Sequence, residues 1–260
     1  MLIAHISDLH LKKEGQLVKD QIDTRAFAIT AIDAIAALNP RPDMLLMTGD
    51  LADAGELEAY EWFTKQVDRI GVPTYCIPGN HDLRAPMRRA FRRYGYLPEE
   101  GFLQFTVEKG PVRILALDTV IEGKAAGRLC AERIQWLAER LAEDRDRATI
   151  VMMHHQPFET GTGFDRIRCE STKDLANVIA SAPNVERVIC GHMHQNIVTR
   201  WAGTVASVCP ATAHQMATDF AKPDRLVVAL DPPSYQLHHW VKGTGLITHT
   251  RHIEPFKEVV

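Results

Sequence analysis

Short apolar runs alternate with helical patterns along the first 190 residues of this chain. Apolar runs at residues 2–6, 43–47, 72–77, 149–153 and 185–190 predict strands, and apolar spacing predicts helices over 24–38, 56–70, 85–94, 131–143 and 171–182. Runs at 102–107 and 112–118 flank Lys109-Gly110 and predict a β-hairpin. Strands that alternate with helices in this way are typical of an α/β fold with a parallel sheet.

The pattern changes to consecutive β runs after residue 196, at 197–201, 204–208, 226–230, 236–241 and 246–253. Alternation followed by consecutive strands predicts a layered α/β sandwich built on two sheets. The sequence contains no internal repeat, low-complexity tract or flexible linker, so we expect residues 1–260 to form a single domain with a full core. The β-rich segment 197–260 is a candidate lid over a pocket or a candidate subunit contact.

The composition argues against several classes of partner. A formal net charge of -3 and a pI near 6.5 give no general electrostatic reason to bind nucleic acid or an anionic membrane. The sequence has no apolar window of about 18 residues, and residues 1–7 lack the pattern of a signal peptide. Five scattered cysteines without a Cys-x-x-Cys pair indicate buried thiols in a reducing compartment. We therefore expect a cytoplasmic protein without a disulfide framework.

Polar side chains follow the ends of five predicted strands. They are Asp8 and His10, then Asp50, Asn80 and His81, His154, and finally His192 and His194. Gly79 precedes Asn80, where a glycine suits a tight turn whose backbone angles crowd other residues. Because loops at the carboxyl ends of strands in an open α/β sheet converge on one crevice, we expect these side chains to meet there.

A buried cluster of imidazoles and carboxylates is costly without compensation, and divalent metal ions remove this cost. Oxygen and nitrogen donors without thiolates suit Mn, Fe, Co or Zn rather than a closed structural zinc site. The donors are too many for one ion, since they comprise Asp8, His10, Asp50, Asn80, His154, His192 and His194. Two ions roughly 3.5–4 Å apart, with Asp50 as their bridge, would clamp the attacking and leaving oxygens of an in-line displacement at phosphorus. These residues thus predict phosphoester hydrolysis.

Five separated motifs within residues 8–194 resemble those of the calcineurin-like metallophosphoesterases: Asp-x-His, Gly-Asp, Gly-Asn-His-Asp, a later His and Gly-His-x-His. The resemblance implies a four-layer αββα fold, a β-sandwich flanked by helices. It implies two divalent or mixed-valence metal ions, one held by Asp8, His10, Asp50 and His194 and the other by Asp50, Asn80, His154 and His192. It also implies that His81 is catalytic and stabilises or protonates the leaving oxygen, and that Asn80 and His81 contact the substrate.

Finer features indicate the branch of this family. Serine/threonine protein phosphatases extend the second motif as Gly-Asp-x-x-Asp-Arg-Gly, whereas residues 50–55 lack that Arg and the third motif ends in Asp82. Residues 4–10, the pair His154-His155 and the segment 210–215 resemble bacterial class III cyclic-nucleotide and glycerophosphodiester phosphodiesterases. Those enzymes usually have His-His-Pro-Pro at the fourth motif, whereas Gln156 stands here in the pocket wall, which bears on substrate preference.

The resemblance implies a small phosphodiester substrate, either a cyclic nucleotide such as cAMP or a glycerophosphodiester, hydrolysed by in-line attack of a metal-bound hydroxide. A phosphomonoesterase with the same metal core is the alternative activity. A non-catalytic binding scaffold is a third hypothesis, but it predicts the loss of ligands and all seven are present. Relatives also suggest a homo-oligomer.

Several other polar residues have two interpretations. His214 either contacts the substrate or is an ordinary surface residue, and Asp53 and Asp82 either orient ligand imidazoles or cap the following turns. His155 either lines the pocket or supports a ligand, more often through a hydrogen bond.

The arginines after the third motif have two interpretations, and the remaining histidines are given no chemical role. The arginines either steer an anionic substrate toward the metals or form a solvated helix face, and they are Arg84, Arg88, Arg89, Arg92 and Arg93. We expect His5 to be packed within its strand. The outward-facing strand positions are predicted to be His238, His239, His249 and His252.

Overall fold

The computed structural model describes residues 1–253, so the last seven residues of the predicted domain and β-rich segment, 254–260, lie outside the described residues. The helices are α1 (Thr24–Ala36), α2 (Leu57–Val67), α3 (Arg84–Phe91), α4 (Ala131–Glu143) and α5 (Lys173–Ala180), with short 3-10 helices at Asp68–Ile70, Arg92–Tyr94 and Gly163–Ile167. The strands are β1 (Leu2–Ile6), β2 (Met44–Met47), β3 (Thr74–Cys76), β4 (Phe105–Lys109), β5 (Val112–Ala116), β6 (Gly127–Arg128), β7 (Ala148–Met152), β8 (Cys169–Glu170), β9 (Val185–Cys190), β10 (Ile197–Trp201), β11 (Thr204–Val208), β12 (Gln215–Ala217), β13 (Val227–Ala229), β14 (Ser234–Val241) and β15 (Gly245–His252).

Two main sheets form the centre of the fold. The first has five strands in the order β15-β14-β1-β2-β3, and the second has six in the order β10-β11-β9-β7-β5-β4. In the first sheet β1, β2 and β3 are parallel, and in the second β5, β7, β9 and β11 are parallel. The predicted hairpin is the antiparallel pair β4–β5. The carboxyl ends of the parallel strands therefore form two neighbouring rims.

Three apolar clusters separate four layers. One cluster packs α1, α2 and α3 on the outer face of the first sheet, and a second packs α4 and α5 on the outer face of the second sheet. The third lies between the two sheets. Because side chains alternate along a strand, β5 contributes Ile114 to the cluster between the sheets and Leu115 to the cluster under the helices. The predicted αββα sandwich is confirmed.

Most of the β-rich segment completes the two sheets. Strands β10 and β11 extend the second sheet, while β14 pairs with β1 and carries β15 at the edge of the first. Between them, β12 and β13 form a small separate sheet that the apolar pattern showed only in part. A second small sheet, β6–β8, was not predicted, since two-residue strands carry no periodicity. A lid or subunit contact in this segment stays a prediction.

Strand β14 corrects one prediction. His238, expected to face outward, is fully buried, whereas His239 is exposed. The reason is that β14 lies between β1 and β15, so His238 faces the interior and hydrogen-bonds to His5 at 3.1 Å and to Thr248 at 2.8 Å. His5 is buried within β1, as its packed assignment predicted.

Helix ends account for most of the remaining differences. The helix predicted to reach residue 70 ends at Val67 and continues as a 3-10 turn that Gly71 closes in the left-handed conformation, φ 70°.

None of the helices within residues 1–253 combines the length and the hydropathy of a membrane span.

Candidate dinuclear metal centre

The loops after β1, β2, β3, β7 and β9 meet at the rim shared by the two sheets. Hydrogen bonds tie the sheets together there at two points. The Asp8 carboxylate, after β1, accepts from the backbone N–H of His192, after β9, with both oxygens 3.0 Å from the nitrogen. Thr48 follows β2 and His154 follows β7, and the Thr48 carbonyl accepts a hydrogen bond from Nδ1 of His154 at 2.6 Å. The predicted ligands therefore come together from both sheets.

Asp50 lies between two groups of imidazoles. Its Oδ2 is 3.6 Å from Nε2 of His10 on one side and 3.4 Å from Nε2 of His154 on the other. Its Oδ1 accepts from the backbone N–H of His81 at 2.9 Å, which fixes the plane of the carboxylate. One oxygen thus faces both groups, which is the position that a bridging ligand needs.

The first group contains His194 and Asp8 as well as His10. Nε2 of His194 is 3.4 Å from Oδ1 of Asp8 and 3.0 Å from Nε2 of His10. In the second group, Oδ1 of Asn80 lies 3.1 Å from Nε2 of His154. The remaining member, His192, places its ring 5.0 Å from the His154 ring between centroids. These distances place the predicted ligands in two groups, and their division between two ions stays a prediction.

Each of the four imidazoles uses one nitrogen for a protein acceptor and leaves the other for the centre. The donating nitrogens and their acceptors are Nδ1 of His10 to Oδ1 of Asp53 at 3.2 Å, Nδ1 of His154 to the Thr48 carbonyl, Nδ1 of His194 to the His214 carbonyl at 2.9 Å, and Nε2 of His192 to the Ile167 carbonyl at 3.0 Å. Such partners orient metal-bound histidines and fix their tautomer. The nitrogen that remains on each ring is the one available to a metal ion.

The donor set fits two metal ions. Ligand atoms at about 2.1 Å from a common ion lie roughly 3.0–3.4 Å apart in octahedral or tetrahedral geometry, and five atom pairs within the two groups are separated by 3.0–3.6 Å. When both rings are neutral and their other nitrogens donate, the Nε2 atoms of His10 and His194 face each other as two acceptors. A shared cation removes that repulsion, and residues Asp8, His10 and Asp50 bring ligand atoms within 4.8 Å of one another.

The electrostatics of the cluster favour a cation. Burial acts to raise the pKa of Asp8, but the charge of His194 and its hydrogen bond lower this pKa to about 2. Burial acts to lower the pKa of His154, but the Asp50 carboxylate raises it to about 9. Burial and the charge of His154 lower the pKa of His192 to about 3. The carboxylates thus stay ionised and favour positive charge on the neighbouring imidazole of His154.

Backbone strain is concentrated at these residues. Nine non-glycine residues within 1–253 have positive φ, and five of them are predicted ligands: Asp8, His10, Asp50, His192 and His194. Residues hold such angles only where the surrounding structure imposes them, and they cluster at functional sites.

The glycine of the third motif is explained by a close approach. Gly79 does not have positive φ, so the turn geometry expected from the sequence is not the reason for it. A Cβ on Gly79 would collide with Oδ1 of Asp50 and lie 2.7 Å from Cε1 of His154. Gly79 therefore lets the loop after β3 approach the Asp50 carboxylate.

Asp53 supports both a ligand and the predicted catalytic residue. Its carboxylate accepts from Nδ1 of His10, and its carbonyl accepts from Nδ1 of His81 at 2.7 Å. Lys12 neutralises the carboxylate at 2.7 Å. Nε2 of His81 has no protein hydrogen bond among the described residues, and the His81 side chain is 41% exposed. His81 thus presents a free nitrogen beside the centre.

Asp82 fixes the loops rather than an imidazole. Its carboxylate accepts from the backbone N–H groups of Leu51 at 3.2 Å, Ala52 at 3.0 Å and Gly79 at 2.9 Å, and from the hydroxyl of Tyr60 at 2.9 Å. Both earlier interpretations of Asp82 are therefore corrected, because it joins the loop after β2 to the loop after β3. Burial and the Asp50 charge raise the pKa of Asp82 to about 6.

His155 supports the centre by packing. Its ring nitrogens hydrogen-bond to Thr119 at 2.7 Å and to the carbonyl of Ala125 at 3.1 Å, neither of which is a predicted ligand. Its ring lies 4.8 Å from the His154 ring and 4.6 Å from the His192 ring between centroids. The prediction that His155 supports a ligand through a hydrogen bond is therefore corrected. Its ring instead packs against the rings of two predicted ligands.

The structure places His214 at the centre rather than on an ordinary surface. It is only 4% exposed, and its ring is 4.7 Å from the His194 ring and 5.3 Å from the His10 ring. Burial and the charge of His194 lower the pKa of His214 to about 3, and its Nδ1 has no partner among the described residues. A neutral imidazole with spare hydrogen-bonding capacity thus borders the first ligand group.

Some contributors left little trace in the sequence. Three of the four acceptors that orient the ligand rings are backbone carbonyls, so their residue types give no signal. Lys12 could have been found from its position two residues after His10 and its charge opposite Asp53. Gln156 is fully buried, with its amide nitrogen 3.1 Å from the sulfur of Met193. Gln156 therefore packs against the Gly-His-x-His loop.

The four-layer sandwich and its paired ligand groups define a metallophosphoesterase. Residues 1–196 match the calcineurin-like phosphoesterase family, and the chain therefore belongs to that family.

Two bacterial relatives match over most of their length. A probable glycerophosphodiester phosphodiesterase from Arcobacter nitrofigilis is 34% identical over 259 residues, which cover 99% of this chain and 95% of the relative. A 3',5'-cyclic adenosine monophosphate phosphodiesterase from Escherichia coli is 29% identical over 214 residues, which cover 82% of this chain and 76% of the relative. Among solved structures, a dimetal phosphatase from Danio rerio has the same fold, with a TM-score of 0.67 at 13% identity over 97% of this chain and 99% of that chain.

Proposed function

We propose that this protein is a dinuclear-metal phosphodiesterase that hydrolyses small phosphodiesters. The observation that carries the proposal is the position of Asp50, whose Oδ2 faces Nε2 of both His10 and His154. A single shared carboxylate oxygen between two complete ligand groups is the arrangement expected for two closely spaced ions. When bound, such ions would activate a water molecule and neutralise charge on the phosphoryl oxygens.

The residues of the chain hold this arrangement and supply a proton. Asp8, His10, Asp50 and His194 would hold one ion, and Asp50, Asn80, His154 and His192 the other. The His81 side chain donates through Nδ1 to the Asp53 carbonyl, which directs Nε2 away from the protein. A protonated Nε2 would donate to the leaving alkoxide, the role of a general acid. His214 and Asn80 would contact the phosphoryl group.

Both diester classes are supported by a relative. The more similar of the two is named for glycerophosphodiesters and the other for cyclic AMP. The alternative activity is phosphomonoester hydrolysis by the same metal core. A non-catalytic scaffold is opposed by the arrangement of all seven ligand side chains around one site.

A substrate panel tests the proposal. Protein loaded with Mn, Co or Zn would be assayed against cAMP, glycerophosphoethanolamine and the monoesters AMP and glycerol 3-phosphate at equal concentration. We expect at least one diester to exceed both monoesters in kcat/KM by about tenfold or more. Faster turnover of the monoesters would replace the proposal with the alternative activity, and inactivity on all four would favour the scaffold.

The cellular setting follows from the same reasoning. We propose Mn, Fe, Co or Zn as the ions, because the donors are imidazole nitrogens and carboxylate or amide oxygens. All five cysteines are free thiols and four are buried, which supports a reducing, cytoplasmic environment. A homo-oligomer stays a prediction. Phe220, Leu226 and Leu230 are exposed apolar side chains of the β-rich segment, and equilibrium sedimentation of the L230D variant against the wild type would test their part in it.

A further inference from the structure

Two of the five arginines between residues 84 and 93 have carboxylate partners. Arg84 forms a two-point ion pair with the buried Asp118, at 2.7 and 2.9 Å. Arg93 pairs with Asp68 at 2.5 Å. Their positive charges are therefore balanced within the protein.

The other three arginines have no such balance. Arg88 donates from Nε to the carbonyl of Pro98 at 2.8 Å and from Nη2 to the carbonyl of Gly101 at 2.6 Å, so its guanidinium is fixed but not neutralised. Arg89 and Arg92 are exposed, and within residues 1–253 neither has a hydrogen bond or ion pair. Spacings of three and four residues place the three on one side of α3 and its 3-10 extension, where like charges repel.

These same three arginines line one hollow. Its cavity is about 520 Å³, and its other lining residues are Ala85, Gly95, Leu97 and Glu99. The bonds from Arg88 hold the loop that forms the opposite wall against α3. The helix dipole favours cations near the end of α3, but it does not account for a cavity between them. A volume of this size matches sites for small organic ligands.

We propose that this hollow binds a nucleoside monophosphate, at a site separate from the metal centre. Guanidinium groups recognise phosphate oxygens through charge-assisted hydrogen bonds, and three arginines line this hollow. The Glu99 carboxylate can accept hydrogen bonds from ribose hydroxyls, and its negative charge disfavours a polyanionic ligand such as a nucleic acid. Leu97 and Ala85 offer apolar contact. None of the lining residues is a predicted metal ligand, so the proposal does not depend on the function assigned above.

The test counts binding sites for AMP on the metal-loaded protein by isothermal titration calorimetry. We expect two sites in the wild type, one at the metal centre and one at the hollow. The variant R89Q/R92Q should lose one site or weaken it by about tenfold or more, since two charge-assisted contacts are removed. The matched control R145Q/R200Q removes two exposed arginines elsewhere and should keep both sites.

Further arms identify the ligand class. Inorganic phosphate should bind the hollow more weakly than AMP, because it lacks the groups that meet Glu99 and Leu97. Hydrolysis of diesters should stay within about twofold of wild type in R89Q/R92Q, and its thermal melt reports that it is folded. AMP sites in R89Q/R92Q that match those of the wild type in number and affinity would overturn the proposal, whether or not the metal centre itself binds AMP. Tighter binding of an RNA oligonucleotide than of AMP, lost in R89Q/R92Q, would also overturn it and identify a polyanion surface.

Discussion

Nε2 of His10 lies 3.0 Å from Nε2 of His194, although Nδ1 of each ring already donates to another acceptor. Two neutral imidazoles in these tautomers present lone pairs to each other. A proton or a metal ion between them makes the contact favourable. The arrangement therefore links metal binding to the stability of the rim that joins the two sheets.

Metal removal is expected to lower the melting temperature. An ion present at 100 times its dissociation constant stabilises the native state by about 2.7 kcal/mol per site, which corresponds to roughly 5–10 °C for a chain of this size. The variant H194Q should bind one equivalent fewer and show a smaller shift, whereas H239Q, at an exposed strand position, should match the wild type. Calorimetry with and without chelator checks this. Equal melting temperatures would argue against structural coupling to metal.

Replacing His81 should reduce turnover without releasing metal. We expect H81A to keep the wild-type metal content, because His81 reaches the centre through its backbone N–H to Asp50 and not as a ligand. Loss of a general acid lowers kcat by about 10²–10⁴-fold. The loss should be smaller for aryl diesters, whose leaving oxygens need less protonation, than for alkyl diesters. An equal loss of kcat for aryl and alkyl diesters would contradict the proposed proton transfer from His81.

The ion pair of Arg84 and Asp118 is expected to stabilise the site-bearing loops. Asp118 is fully buried at the end of β5 and also accepts from the backbone N–H groups of Leu103 and Val120. D118N leaves the partly buried Arg84 guanidinium with only the exposed Glu122 carboxylate, 3.4 Å away, and loss of the buried partner costs about 3 kcal/mol of unfolding free energy. R84Q/D118N should recover about 1 kcal/mol or more relative to the sum of the single variants. Urea denaturation measures all four proteins, and additive effects would contradict the coupling.

The buried pair His5 and His238 predicts a loss of stability in acid. Burial lowers the pKa of His5 to about 3 and holds the pKa of His238 well below its ordinary value. In the unfolded chain each takes up a proton near pH 6.5, so their contribution is complete above that pH and is lost as the pH falls below it. At pH 5.5 the cost is about 1.4 kcal/mol per histidine.

The variant H238Q should therefore lose less stability than the wild type between pH 7.5 and pH 5.5, by about 1.4 kcal/mol. H239Q, whose imidazole is exposed on the neighbouring strand position, is the matched control and should follow the wild-type pH dependence. Guanidinium unfolding at both pH values gives the comparison. If H238Q and the wild type show the same pH dependence, His238 is protonated in the native wild-type protein, which would contradict the prediction.

The sequence predicted the layers and the meeting of the candidate ligands at one rim, because strands, helices and motifs leave recognisable patterns. Short apolar runs predict β1, β2 and β9, and the polar residues after these strands give the candidate ligands Asp8, Asp50 and His192. The sequence could not show that Asp82 joins two loops, since its partners are backbone N–H groups. It could not show that His238 is buried, because that depends on β14 pairing with β1 across more than 230 residues of chain.

Metal titration of hydrolysis tests the central claim most directly. Metal-stripped protein would receive increasing equivalents of Mn, Co or Zn while the rates on bis(p-nitrophenyl) phosphate and p-nitrophenyl phosphate are followed. A shared Asp50 between two complete ligand groups predicts that diester hydrolysis rises to its plateau at two equivalents per chain and exceeds monoester hydrolysis. A plateau at one equivalent, activity without metal, or a preference for the monoester would contradict a dinuclear phosphodiesterase.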